Sequence, residues 1–356
     1  VTTLGLALGL AAAALAAAPA PVPAPAEKSI LDVHCHLACL PRAGGDCFVS
    51  PRLLRSYKYK IYLRFLGVTE RELRERGDGL VADRLSAEIE RSRSVSKAVV
   101  LALDGAVKDG VLDKDATEIY VSDEFVAGEV KRHDNLLFGA SVNPYRKDAL
   151  ERLRWAKEHG AVLVKWIPSV MGIDPADPAL DGFYRRLVEY RLPLLVHTGA
   201  ERTFTSSRDD LSDPARLERP LKLGVTVIAA HLASTGKIGG ERDYDRLLPL
   251  FGKYPNLYAD ISATTQFNRI GFLKKALKEP SLRGRLLYGT DWPLQYFPVV
   301  SPWYQLGRLS PRELARLSKI VNTWDRDVAL KRALGVPEEV FTAGWAVLGL
   351  KSPVRP

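Results

Sequence analysis

Short apolar runs that stop on a metal-ligating or proton-carrying residue constrain this chain more than any other feature. LDVHCH, LPLLVH, VTVIAAH and LLYGTD end on His34/His36, His197, His231 and Asp291, which takes up four of the six histidines. Each run is leucine-rich or β-branched, as a buried strand is, so the pattern places a metal site at one end of a parallel sheet. His34 and His36 are one residue apart. In a strand of period two both side chains leave the same face and one ion can accept both, whereas on a helix they diverge by roughly 200°. The competing reading of any one of these histidines is a hydrogen-bonded core residue; the five positions together favour a metal.

The apolar runs recur along the chain. Strands are expected at 30–36, 97–104, 136–143, 161–167, 192–198, 225–231, 256–262 and 285–291. Between them lie stretches such as DALERLRWAKEHG and FYRRLVEYR, with apolar residues at helical spacing, and His159-Gly160 marks a helix end. Eight strand–helix repeats with continuously apolar strands imply a parallel sheet covered by helices, an α/β fold closed as a (β/α)8 TIM barrel. A chain of 356 residues, 46% of them hydrophobic, can bury the core of one such barrel with insertions. A single domain is expected over 27–350, with a long insertion after strand one from Leu37 to about Leu80 that carries RSYKYKIYLRFLG. A connection of that length in a compact domain is a lid or a substrate wall, or else a packing insertion. From Ser310 onward the chain reads as two helices that close the barrel.

The formal net charge is +9, but Lys and Arg are scattered among Asp and Glu on helical stretches. That is a solvated surface, and with no nucleic-acid motif present a nucleic-acid partner is not expected. Residues 1–26 hold LGLALGLAAAALAAAPAPVPAPA, with no Lys or Arg. This reads as the apolar core of a signal peptide and a linker, or as a disordered Ala/Pro-rich leader. Export to the periplasm or the medium is the expectation, with the cytoplasm as the alternative. No other run approaches the roughly 18 apolar residues of a membrane span. The three cysteines, Cys35, Cys39 and Cys47, fall close together. In an oxidising compartment Cys39 and Cys47 can close a disulfide; in the cytoplasm they are small apolar side chains or a reactive pair.

Functional residues of a TIM barrel gather at the C-terminal ends of its strands, and His34/His36, His197, His231 and Asp291 end strands one, five, six and eight. With these residues the chain resembles the amidohydrolase superfamily, in particular its branch of metal-dependent hydrolases and non-oxidative decarboxylases. The HxH motif is VHCHLA, the strand-five histidine lies in LLVHTG, the strand-six histidine in IAAHLAS and the strand-eight aspartate in YGTDWP. The resemblance spans about residues 30 to 335.

It implies that His34, His36, His197 and Asp291 hold a divalent metal and that His231 faces the substrate. One zinc ion per chain is expected, with manganese, iron or nickel, and a second metal, as alternatives. Zinc lowers the pKa of a bound water toward about 7; Asp291 can accept that proton and pass it to a leaving group, while His231 polarises the scissile carbonyl. Lys165, in VLVKWIPS, has two readings. In some superfamily members a lysine here is carboxylated and bridges two metals, which with His231 would build a second metal site. The reading taken is a plain amine beside a single metal.

Asp104, Asn143, Arg146, Trp166, Arg202 and Asp260 also lie at strand ends and are candidates for the pocket. Arg146 is a candidate clamp for a substrate carboxylate, or a structural salt bridge; Asp260 is a candidate support for a ligating histidine. The expected activity is hydrolysis of a carbonyl, amide or lactone of a small polar molecule. A non-oxidative decarboxylase of a small acid and a non-catalytic metal- or ligand-binding barrel are the rivals. The partner is a small-molecule substrate, a homo-oligomer is compatible with the sequence, and substrate identity is written in loop shape.

Overall fold

The computed structural model of the protein describes residues 28–40 and 47–353, so the leader expected at 1–26 lies outside the described residues. Eight parallel strands stand side by side in chain order. They are β1 (Ile30–His36), β2 (Val95–Leu101), β3 (Leu136–Ala140), β4 (Leu163–Trp166), β5 (Leu194–His197), β6 (Val227–Ala230), β7 (Leu257–Asp260) and β8 (Leu286–Leu287). The chain beyond β8 closes the barrel on β1: Val33 N donates to Tyr288 O (3.1 Å), Asp291 N to His34 O (2.9 Å) and His36 N to Trp292 O (2.9 Å). All eight expected strands are present. Most end earlier than expected, because the chain leaves the ladder at each C-terminal end to build the loops that carry the site.

Alternate residues of the strands sort into two cores. Leu163, Leu195, Ile228 and Leu287 fill the barrel interior with Leu31, Val33, Val99 and Leu101. Val164, Trp166, Leu194, Val196, Val227 and Leu257 face the helices outside. The expected helices DALERLRWAKEHG and FYRRLVEYR are Ala149–Glu158 and Asp181–Tyr190. His159 caps the first and Gly160 follows at φ +86°, a left-handed conformation that costs glycine little.

The C-terminal region departs from expectation by one element. Helices Pro311–Ser318 and Thr323–Ala333 are the expected pair, and a third, Glu338–Val347, follows. This last helix plugs the barrel floor, with Trp345 and Leu348 packed into the interior core. Gly344 permits the approach: a Cβ there would meet Val33 Cγ1 at 2.8 Å.

The insertion after β1 is largely helical. Cys47–Val49 pairs antiparallel with Ile119–Val121, and helices Pro51–Leu54, Tyr57–Phe65 and Glu70–Arg76 follow. A capping box of Thr69 and Glu72 starts the last of these. Tyr57–Phe65 is docked onto the loop after β5, where Lys58 Nζ donates to the carbonyls of Arg202 (3.0 Å), Thr203 (3.2 Å) and Phe204 (2.7 Å). Cys39 and Cys47 form a disulfide within the first residues of the insertion, and Cys35, on β1, is free and buried.

Candidate active site

Strand period two delivers half of the polar floor. Leu163, Leu195 and Leu287 point into the barrel, so Lys165, His197 and, beyond Gly289, Asp291 point the same way above them. Three residues need a break in the period. Leu31 and Val33 are interior, so uninterrupted alternation would carry Cys35 inward and the two histidines outward. The β1 register shifts between Asp32 and Cys35, and Cys35 joins the outer core while His34 and His36 face the cavity. The Asp32 carboxylate accepts the His34 amide at 3.0 Å and the Thr290 amide at 3.1 Å across this irregularity. On β6, His231 follows interior Ala230 and reaches the cavity through a positive φ of 56°; Asp291 has φ 64°. Such values are uncommon for residues with a Cβ and persist where surrounding structure enforces them. Here the enforcing contacts are His231 N to Asp260 Oδ1 (3.0 Å) and Asp291 N to His34 O (2.9 Å).

The five expected residues converge. Asp291 Oδ1 lies 3.2 Å from His36 Nε2 and 3.6 Å from His34 Nε2. The His34 ring centroid is 5.1 Å from that of His36 and 5.0 Å from that of His231, and His231 is 5.2 Å from His197. Ligand atoms of His34, His231 and Asp291 all lie within 4.8 Å of one another. Donors around one tetrahedral zinc stand roughly 3.3–3.5 Å apart, given bonds of about 2.0–2.1 Å. His34, His231 and Asp291 therefore fit a divalent metal, His36 adds a nitrogen beside Asp291, and His197 Nε2, buried without a hydrogen bond, is a further donor.

Asp260, on β7, supports this cluster from below. Its Oδ2 accepts from His34 Nδ1 at 2.9 Å, which fixes the tautomer and turns the Nε2 lone pair toward the cavity. Its Oδ1 accepts the amides of His231 and Ser262, both at 3.0 Å, and Ser262 Oγ is 2.8 Å from His231 Nδ1. Burial drives His34 and His231 well below the usual histidine range, reinforced by Lys165 beside the first and Arg269 beside the second, and burial lowers His197 as well. Neutral imidazoles are the form that binds a metal.

Lys165 also reaches the cavity, its Nζ 3.1 Å from His34 Nε2. Burial lowers its pKa to about 8 against the pull of Asp260, Asp291 and Glu201. Of the other candidates Arg202 lines the cavity, whereas Trp166, Arg146, Asp104 and Asn143 do not, the Asn143 amide donating to Gly105 O (2.9 Å) and Met171 O (2.8 Å). Trp166 follows Lys165 and so faces outward, packing on Phe183 and Tyr184 with its indole N–H on Val142 O (2.8 Å). Arg146 pairs with Asp104, Nη1 to Oδ1 at 2.9 Å, and Asp104 also accepts the amides of Gly105 and Asn143. That pair stitches the loops after β2 and β3 together, so the salt-bridge reading of Arg146 holds and the substrate clamp does not.

Two charged residues of the cavity carry no expectation from the sequence. Glu201 is buried four positions after His197, with Oε2 3.4 Å from His197 Nε2. Gly199 makes that turn: at φ +88° its missing Cβ would strike Thr235 O at 2.3 Å. An acidic residue so soon after a strand-end histidine was the available signal. Arg269 comes from the loop after β7 with no periodic or spacing signal. It is buried, donates from Nη1 to Ser234 Oγ at 2.7 Å and leaves Nε without a partner. Above this polar floor the cavity encloses about 200 Å³ and its walls are mostly apolar, many of them from the insertion.

A model of the family described as Amidohydrolase matches residues 32–317. Among solved structures, an uncharacterized TIM-barrel protein from Bordetella bronchiseptica superposes with a TM-score of 0.51 at 16% identity, over 85% of this chain and 99% of its own. A putative 2-pyrone-4,6-dicarboxylic acid hydrolase from Pseudomonas putida superposes with a TM-score of 0.50 at 14% identity, over 90% of this chain and 97% of its own. At such identities the likeness is one of fold. No curated protein matches the chain.

Proposed function

The chain belongs to the amidohydrolase family, and from that premise we propose that it is a metal-dependent hydrolase of an amide, ester-like or lactone carbonyl. The observation that carries the reading is Asp291 held within 3.2 and 3.6 Å of two histidine nitrogens on the floor of a largely apolar cavity. His34, His36 and Asp291, with His197, would hold one divalent ion, zinc by the mixed imidazole and carboxylate donors. A bound ion supplies Lewis acidity toward the carbonyl and toward an attacking water.

The chain's own residues do the rest. The Asp291 carboxylate accepts the water's proton and returns it to the leaving atom. His231, anchored through Nδ1 to Ser262, is placed beside the carbonyl, and the unpartnered Arg269 Nε–H faces charge that grows on its oxygen. Asp260 holds His34 and the His231 backbone in place, and Lys165 stays an uncarboxylated amine. We also propose that the protein acts in an oxidising compartment outside the cytoplasm, which the Cys39–Cys47 disulfide supports.

Elemental analysis and metal titration test the site, with activity screened over lactones, amides and esters by proton release and with CO2 measured in parallel. One metal equivalent with hydrolysis is the expected result. Full activity only at two equivalents would overturn the single-metal reading. Release of CO2 without hydrolysis would overturn the hydrolase.

A further inference from the structure

The polar floor of the cavity and its walls make different demands on a substrate. The charged groups of the floor gather at the strand ends, around His34, Lys165 and Asp291, while Arg202 comes from the loop after β5 and the insertion adds the phenols of Tyr59 and Tyr62. The insertion contributes Leu40, Leu53, Leu63, Leu66 and Leu73 to the walls, and Leu103 and Val121 line the barrel side. Apart from half-buried Leu63, these leucines and the valine are all buried.

A leucine surface that faces a cavity forfeits the dispersion contacts a filled core would provide, and it offers a small polar molecule nothing in return. Nor is the wall a loose flap. Lys58 holds three carbonyls of the loop after β5, and Tyr62 OH donates to Thr203 O at 2.5 Å. That loop also carries Glu201, so wall and polar floor are set at a fixed separation. A preformed apolar recess joined to a few convergent polar groups fits a ligand that is itself divided, with an apolar chain and a polar head.

We propose that the insertion after β1 is a specificity wall for an apolar alkyl or aryl chain attached to the reactive carbonyl, so that the substrate is amphipathic rather than small and polar. This rests on the hydrolase reading only for the identity of the head group. Chain recognition is a property of the leucine wall and is measurable without turnover.

The test is calorimetric titration of the purified, metal-loaded protein with non-hydrolysable 2-alkylcyclopentanones, from methyl to hexyl. A buried methylene strengthens binding by about two- to fourfold, so Kd is expected to fall by roughly 30-fold or more over the five added methylenes. Two variants locate the chain: Leu63→Trp fills the recess, and Leu63→Asp, at a half-buried position, charges it. In both, the gain per methylene is expected to collapse toward unity. A flat series in the wild-type protein, or a gain that survives in both folded variants, would overturn the proposal.

γ-Lactones of matching chain length separate the two readings. Chain-dependent ketone binding with no lactone, ester or amide turnover would leave the wall standing and count against the hydrolase. Lactone hydrolysis with kcat/KM indifferent to chain length would do the reverse.

Discussion

Replacing Asp260 by Asn perturbs the site without touching the cavity-facing donors. The carboxylate accepts from His34 Nδ1 at 2.9 Å and from the His231 and Ser262 amides at 3.0 Å, and Ser262 Oγ donates to it as well. An asparagine that keeps its oxygen on the two amides must turn its NH2 toward His34 Nδ1. Either two donors then face each other, or the His34 proton moves to Nε2, the nitrogen directed at Lys165 and Asp291. A hydrogen bond to a charged group in a buried setting contributes about 1.5–3 kcal/mol, which corresponds to roughly 10- to 150-fold in an equilibrium constant. Metal affinity is therefore expected to fall by about 10- to 100-fold, the range for a partner that orients a metal-binding histidine. The assay is metal partition against a competing chelator, alongside circular dichroism to verify the fold. A folded Asp260→Asn protein with metal Kd and turnover within about twofold of the parent would refute the argument.

Asp291→Asn keeps the side-chain size but cannot accept a proton, so kcat is expected to drop at least about a hundredfold in a folded, metal-loaded protein; near-normal turnover would assign the base elsewhere. Lys331 is fully buried, with Nζ 2.7 Å from Asp327 Oδ2 and 2.9 Å from Gly289 O. Lys331→Met strands the Asp327 charge and is expected to cost about 3–5 kcal/mol in urea unfolding, with part of the loss recovered in a Lys331→Met/Asp327→Asn double variant. Thiol titration of unfolded, unreduced protein from the native host is expected to count one cysteine, Cys35, rising to three after reduction. Three thiols before reduction would remove the support for an oxidising compartment.

Residue chemistry and local period carried far in this protein. An apolar run recurring eight times with helical stretches between specifies strand–helix units, and such units bury their strands only as a covered parallel sheet. The residues at the C-terminal ends of those strands share one cavity as a consequence, which is why His34, His36, His197, His231, Lys165 and Asp291 were readable beforehand. A strand end by itself does not give a residue its face. Trp166 and Lys165 are equally terminal on β4, and their alternation alone sends one to the helices and the other to the cavity. Arg146 and Asp104 lie far apart in sequence and satisfy each other, a pairing that spacing does not disclose.

The sequence by itself thus determined the barrel, its order of strands and the donors on its rim. Only the tertiary structure decided the register shift that turns His34 and His36 inward, the positive-φ turn that brings in His231, and the arrival of Arg269 from a loop without pattern. It also decided that the insertion is a docked leucine wall. Period two and residue type are local properties of a chain, whereas a ladder irregularity, a strained turn or a loop's landing place is set by hydrogen bonds and packing between segments remote in sequence.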